Sequence, residues 1–173
     1  MIKLLIIKSS EVLFLKKVTT FFLKLAVILI GIPILAFCIF LAPKIGVFAG
    51  KLYPDIAYLK SLVFILLYGA AVPFYFALYQ AFNLLRYIDE NTAFSDLSVK
   101  ALKNIKCCAI TISGWYVLGM PLFHFIGEKV DPPIGFVGLI IIFGSLVIAV
   151  FAALLQRLLQ EAIHIKSGND FTV

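Results

Sequence analysis

The chain has 173 residues, of which 63% are hydrophobic and 14% are charged, whereas soluble domains carry about 45–50% and about 25% of these classes. With a mean hydropathy of +1.10, this composition excludes a soluble globular protein and indicates one integral membrane domain. The net charge of +6 does not indicate binding to nucleic acid, because the basic residues flank apolar runs, where lysine is a topology signal.

The first 24 residues mix five lysines with apolar clusters, which predicts a basic helical segment leading into the membrane. The first span is predicted at about residues 21–41, with Lys24 able to extend its ammonium group back to water. Pro33 removes a backbone donor near the middle of this span and predicts a kink there. We expect Pro43 to end the helix and residues 42–60 to form a loop.

The second span is predicted at about residues 61–82, and it carries two patterns with the three- or four-residue spacing of one helix face. Small or donor-free residues form a ridge along which another helix, or a second copy of the chain, could approach closely; they are Gly69, Pro73, Ala77 and Ala81. A polar stripe leads out of the span towards the connector; it consists of Tyr75, Tyr79, Asn83 and Arg86. This stripe is either one wall of a ligand or ion vestibule or an ordinary interfacial tyrosine belt.

Residues 83–104 form the longest interval without a membrane-grade apolar run, and we interpret them as a water-facing connector. Ser95 is a predicted N-cap, and Asp96 in the following first turn would complement the helix dipole. Lys100, Lys103 and Lys106 then suit an anionic membrane surface. The pattern predicts a helix that begins in water and continues into the third span.

The third span is predicted at about residues 105–126 and ends near His124, which lies four residues before Glu128. On one helix face this pair could serve a proton or metal site, but an ordinary ion pair needs no further ligands. Because no other nitrogen or sulfur ligand is nearby, the sequence predicts no metal site.

The fourth span is predicted at about residues 134–155 and carries a second small-residue ridge of Ser145, Ala149 and Ala153. In the polar tail, residues 156–173, Arg157 and Glu161 have the spacing of an ion pair. Gln156 and Gln160 continue a polar stripe there and are the predicted second wall of the vestibule.

Charge distribution predicts the orientation of these spans. Eleven of the fifteen Lys and Arg residues fall on the side that holds both termini and the connector, and a positive excess marks the cytoplasmic side. The predicted protein is an all-α, four-helix bundle in the cell membrane, with cytoplasmic termini and cytoplasmic helical extensions.

Two short segments are similar to one another and follow the second and fourth spans. They are Thr92-Ala93-Phe94-Ser95 and Asn169-Asp170-Phe171-Thr172, and they indicate two hairpins related as a parallel repeat. Together with residues 101–105 and 162–166, these segments resemble the YoaS-like family of bacterial membrane proteins, a domain of unknown function. The resemblance implies four spans and an association with a small helix-turn-helix regulator, and it implies no known enzymatic activity.

The sequence contains no nucleophile with a base, no paired carboxylates and no phosphate-binding glycine loop. It therefore predicts a non-enzymatic protein without a cofactor, of a regulatory, sensory or immunity type. Its predicted contact residues for a protein partner are Phe94, Ser95, Asn169, Asp170 and Phe171. The alternative is a small transporter or an oligomeric channel with the vestibule between the second and fourth spans.

Overall fold

The computed structural model describes residues 1–52, 59–126 and 132–170, and the regular structure among them is helical throughout. Helix α1 (Ile2–Ala36) continues through a π-helical turn (Phe37–Leu41) into α2 (Ala42–Leu52). Three long helices follow: α3 (Leu59–Asp89), α4 (Asp96–Ile126) and α5 (Pro132–Asp170).

Among the described residues, four helical segments are long and apolar enough to cross a membrane, which confirms the predicted all-α fold with four candidate spans. They are Ile2–Phe48, Lys60–Asp89, Asp96–Leu122 and Gly135–Gly168. Each helix exceeds the apolar run that it contains: α5 has 39 residues, about 58 Å of helix, whereas the hydrocarbon core of a bilayer is about 30 Å thick. The helical conformation therefore continues past the segment that lipid would cover.

The prediction that Pro43 ends the first membrane helix is wrong. The chain stays helical from Ala42 to Leu52, in the first half of the segment that we expected to be a loop. A proline lacks a backbone N–H group and disturbs the helix one turn before it. Here the disturbance is absorbed by the π-helical turn Phe37–Leu41.

The helices pack mainly against their neighbours in the chain. Helix α3 packs against α1, α2 and α4, whereas α5 packs against α4; over the described residues α3 and α5 make no contact with one another. Helix α4 therefore supplies most of the packed core, in which its buried apolar residues are Ala101, Leu102, Cys108, Ala109 and Ile112.

Both predicted small-residue ridges are involved in packing within the chain. Ser145 and Ala149 of α5 are buried, as is Ala152, whereas the predicted third member, Ala153, is half-buried. On α3, a Cβ atom at Gly69 would come within 2.6 Å of the Trp115 ring of α4. Contact between copies of the chain through these ridges stays a prediction.

Candidate functional site

The chain reverses direction in a short segment between α3 and α4, which we call the elbow (residues 90–95). Helix α3 stops because Asn91 adopts a left-handed conformation, with φ of 60°. The N–H of Thr92 donates to the carbonyl of Tyr87 at 2.9 Å, and the N–H of Asn91 donates to that of Ile88 at 3.3 Å. This is the Schellman arrangement, which asparagine tolerates better than most residues other than glycine.

The start of α4 is stabilised by hydrogen bonds between its first turn and residues of the elbow. Ser95 occupies the predicted N-cap position, and its carbonyl accepts the N–H of Ser98 at 3.1 Å and that of Val99 at 3.3 Å. Ser98 is fully buried, and its hydroxyl donates to the carbonyl of Thr92 at 3.4 Å. The Oγ atoms of Ser95 and Ser98 lie 3.5 Å apart. The elbow is thus held at both ends by its own hydrogen bonds.

Two lysines of α1 contact two residues at the end of α3. We call these four residues the latch: Lys16, Lys24, Asp89 and Asn91. Lys24 pairs with Asp89, and the two side chains are 24% and 29% exposed. Lys16 donates a hydrogen bond to Oδ1 of Asn91. The ammonium of Lys24 also lies 5.8 Å from the centroid of the Phe82 ring, within the range of a cation–π contact.

The latch is one end of a longer polar seam between α1 and α3. Tyr75 donates its hydroxyl hydrogen to the carbonyl of Gly31 at 3.0 Å, and Tyr68 donates to the carbonyl of Cys38 at 2.9 Å. Lys24, Gly31 and Cys38 follow at seven-residue intervals, as do Tyr68, Tyr75 and Phe82 in the opposite direction. The two helices are therefore antiparallel and meet along one face of each.

The π-helical turn explains why the carbonyl of Cys38 is available to Tyr68. The N–H of Ala42 would reach that carbonyl in a regular α-helix, but it bonds to the carbonyl of Phe37 instead. The next residue, Pro43, has no N–H to offer. Because an unsatisfied carbonyl is costly in a bilayer, the Tyr68 hydroxyl stabilises this turn.

The two walls of the predicted vestibule lie on α3 and α5, which make no direct contact over the described residues. On α3, Tyr75 contacts α1, whereas Asn83 is half-buried and Tyr79 is exposed. Arg86 forms an ion pair with Glu90 at 2.8 Å. On α5, Gln160 is exposed. Gln156 accepts a hydrogen bond from Lys106 of α4 at 3.1 Å, and α4 contacts both α3 and α5. A shared vestibule stays a prediction.

Of the predicted contact residues, Phe94 is 58% exposed and Ser95 is half-buried. Asn169 and Asp170 form the end of α5, but their side chains, and the whole of Phe171, lie outside the described residues. The contact between Lys106 and Gln156 sets an antiparallel register. Helices α4 and α5 are separated by only five residues in the chain and pack against one another. The C-terminal part of α5 therefore runs towards the end of the molecule that holds the N-terminus of α4 and the elbow.

Two further predictions concern charged pairs. Arg157 and Glu161 do form the predicted ion pair, at 3.5 Å. The side chain of His124 and the whole of Glu128 lie outside the described residues. Within the part of the chain that the structure describes, no group of three or more His, Cys, Asp or Glu residues could hold a metal ion.

Sequence reasoning missed the latch. The signal on α3 was the recurrence of Tyr68, Tyr75, Phe82 and Asp89 every seven residues, which marks one helix face. The matching positions on α1 are a lysine, a glycine and a cysteine. These three residue types share no chemical property that would mark them as one helix face. Lys24 was therefore expected to reach water, whereas it pairs with Asp89.

Comparison with known proteins gives consistent results. Residues 44–173 match a family model described as "Protein of unknown function (DUF2975)". The chain is 64% identical over 158 residues to the "Uncharacterized membrane protein YoaS" of Bacillus subtilis (strain 168), a match that covers 91% of this chain and 99% of that protein. No solved structure matches.

Proposed function

The chain belongs to the DUF2975 family of membrane proteins of unknown function, and from this premise we propose that it is a non-enzymatic regulatory protein. In this proposal the elbow is a docking surface for a cytoplasmic protein. The observation that carries the proposal is the contrast between a firmly held backbone and exposed apolar side chains at the same place.

The backbone of the elbow is held by the turn at Asn91 and by the buried Ser98. Phe94 and Leu97 are nevertheless 58% and 55% exposed. Aromatic side chains on a preorganised backbone are favourable anchors for protein contacts, since little conformational entropy is lost when they bind. These two residues supply the apolar centre of the proposed docking surface.

The polar surroundings support a partner in water rather than in lipid. Asp96 begins α4, and Lys100 and Lys103 are exposed one and two turns later. The C-terminal part of α5 runs towards the same end of the molecule. We propose that the tail residues Asn169, Asp170 and Phe171 add to this surface, and that Ser95 forms part of its rim.

The resemblance to a family associated with a helix-turn-helix regulator suggests the class of partner. In our proposal the membrane domain holds such a regulator, or another cytoplasmic protein, against the inner face of the cell membrane. The excess of Lys and Arg on the side of the elbow supports a cytoplasmic location.

Site-specific photo-crosslinking in bacterial cells tests the proposal. A photoreactive phenylalanine analogue is placed at position 94 of the full chain, or at position 118, where Leu118 is 73% exposed on α4 in the membrane-spanning part. We expect one discrete protein adduct from position 94 and lipid adducts from position 118. The position 94 adduct should weaken when Leu97 is replaced by Ser.

The proposal is wrong if position 94 yields the same adducts as position 118. It is also wrong if the position 94 adduct is insensitive to the Leu97→Ser replacement, because the two side chains are argued to form one surface.

A further inference from the structure

We infer that the latch is a conformational coupling device, through which the position of α1 sets the conformation of the elbow. Its biological consequence rests on the proposed function, because the elbow is the proposed docking surface. The physical coupling itself stands on the contacts of four residues, Lys16, Lys24, Asp89 and Asn91.

Helix α1 has few apolar contacts with the rest of the chain. Thr20 and Gly31 are its buried residues, and most of its large apolar side chains are exposed. Between helices in a bilayer, apolar surface gives no hydrophobic gain, because lipid covers it equally well. The association of α1 with α3 therefore depends strongly on the polar seam and the latch.

The latch acts at the residues that end α3. Asp89 is the last residue of that helix, and Asn91 is the left-handed residue that turns the chain. A displacement of α1 would withdraw Lys24 and Lys16 from these two residues together. Both contacts therefore bear directly on the geometry of the elbow.

Withdrawal of Lys24 would leave Asp89 in an unfavourable position. Its Oδ1 atom is buried and accepts no hydrogen bond from the described residues. A partly buried carboxylate without its cation is destabilised. The end of α3 would then rearrange to expose Asp89 to water, and the elbow would move with it.

Reciprocity follows from this arrangement. If the position of α1 changes the elbow, then a partner that fixes the elbow must also favour one position of α1. The latch thus gives the docking surface a route by which a change in the membrane-embedded part of the chain alters binding.

A nitroxide label at position 94 of the full chain in lipid nanodiscs tests the inference without any partner. The native cysteines Cys38, Cys107 and Cys108 are first replaced by Ala, and a second sample carries the label at position 118. Asp89→Asn should shorten the rotational correlation time of the label at 94 by about twofold or more, and leave that at 118 unchanged.

Three further variants separate the latch from general destabilisation. Arg86→Gln removes the exposed ion pair between Arg86 and Glu90, the first residue of the elbow, whose side chains are 63% and 49% exposed. This pair does not involve α1, so its loss should leave the label at 94 unchanged. Lys16→Ala removes the donor to Asn91 from the side of α1 and leaves the backbone of the elbow unaltered, and it should mobilise the label. The double variant Lys24→Asp with Asp89→Lys exchanges the two charges. It should return the rotational correlation time of the label at 94 to that of the unaltered latch.

The inference is overturned if Asp89→Asn leaves the label at 94 unchanged, or if Arg86→Gln mobilises it equally. Equal mobilisation at 94 and 118 would mean that the fold has loosened throughout, and it would also overturn the inference. If position 94 gives no protein crosslink but the label at 94 still responds to Asp89→Asn, the docking function is rejected and the coupling through the latch is retained.

Discussion

At the scale of single residues, the polar atoms that stabilise this fold act mainly on backbone carbonyls. Tyr68 and Tyr75 donate to carbonyls of the first membrane helix, and Ser98 donates to a carbonyl of the elbow. In the core of a bilayer no water is available to form hydrogen bonds with the backbone. A tyrosine hydroxyl at such a position therefore has a structural role that its residue type alone does not reveal.

Replacement of Tyr75 by Phe should lower the free energy of unfolding by about 0.5–1.5 kcal/mol, the usual net value of one hydrogen bond. The matched control is Tyr79→Phe, because Tyr79 is 60% exposed and makes no hydrogen bond within the described residues. Reversible unfolding of the full chain in mixed micelles measures both variants. Equal losses for the two would contradict the role assigned to Tyr75.

At the scale of the helices, each predicted apolar run lies within a long helical segment, but hydropathy did not predict where the helices end. The apolar run predicted at 134–155 lies within a helix that extends to Asp170, because helix formation needs backbone hydrogen bonds and tolerates polar side chains. Conversely, a proline was a poor guide to a helix end: Pro43 lies inside the helical segment Ala42–Leu52, since the π-helical turn accommodates its missing donor.

The elbow was the better predicted part of the candidate site. Its capping residues act locally, and the start of α4 at Asp96 after Ser95 follows from sequence-local chemistry. The latch joins residues 65 positions apart, Lys24 and Asp89. Such a contact depends on the register between two helices, and a single sequence carries no direct signal for that register.

Close packing between α3 and α4 depends on glycine. A Cβ atom at Gly69 would lie 2.6 Å from atoms of the Trp115 ring, whereas one at Gly114 of α4 would meet nothing within 4 Å. We expect Gly69→Ala to destabilise the protein by about 1–3 kcal/mol through overpacking. Gly114→Ala should cause no loss.

The same unfolding measurement compares the two glycine variants. Since both replace a helical glycine with alanine, intrinsic helix propensity favours each equally. A loss of stability in Gly114→Ala as large as that in Gly69→Ala would contradict the packing described between α3 and α4.

At the scale of the whole molecule, the helices follow one another in space as they do in sequence, with α4 in contact with both α3 and α5. Helix α1 is attached at one side, by a seam whose contacts are largely polar. This arrangement gives a packed unit of three helices and a more loosely held first helix. The elbow lies where the two parts meet, so it is well placed to respond to changes between them.

The proposed function requires the elbow to face the cytoplasm, and thiol labelling tests this orientation most directly. Single cysteines at position 94 and at Lys51, an exposed residue of α2, are placed in a background with the native cysteines replaced. A membrane-impermeant thiol reagent is then applied to intact cells and to inverted membrane vesicles. We predict that position 94 is labelled in inverted vesicles and protected in cells, with the reverse for position 51. Labelling of position 94 in intact cells would contradict the account.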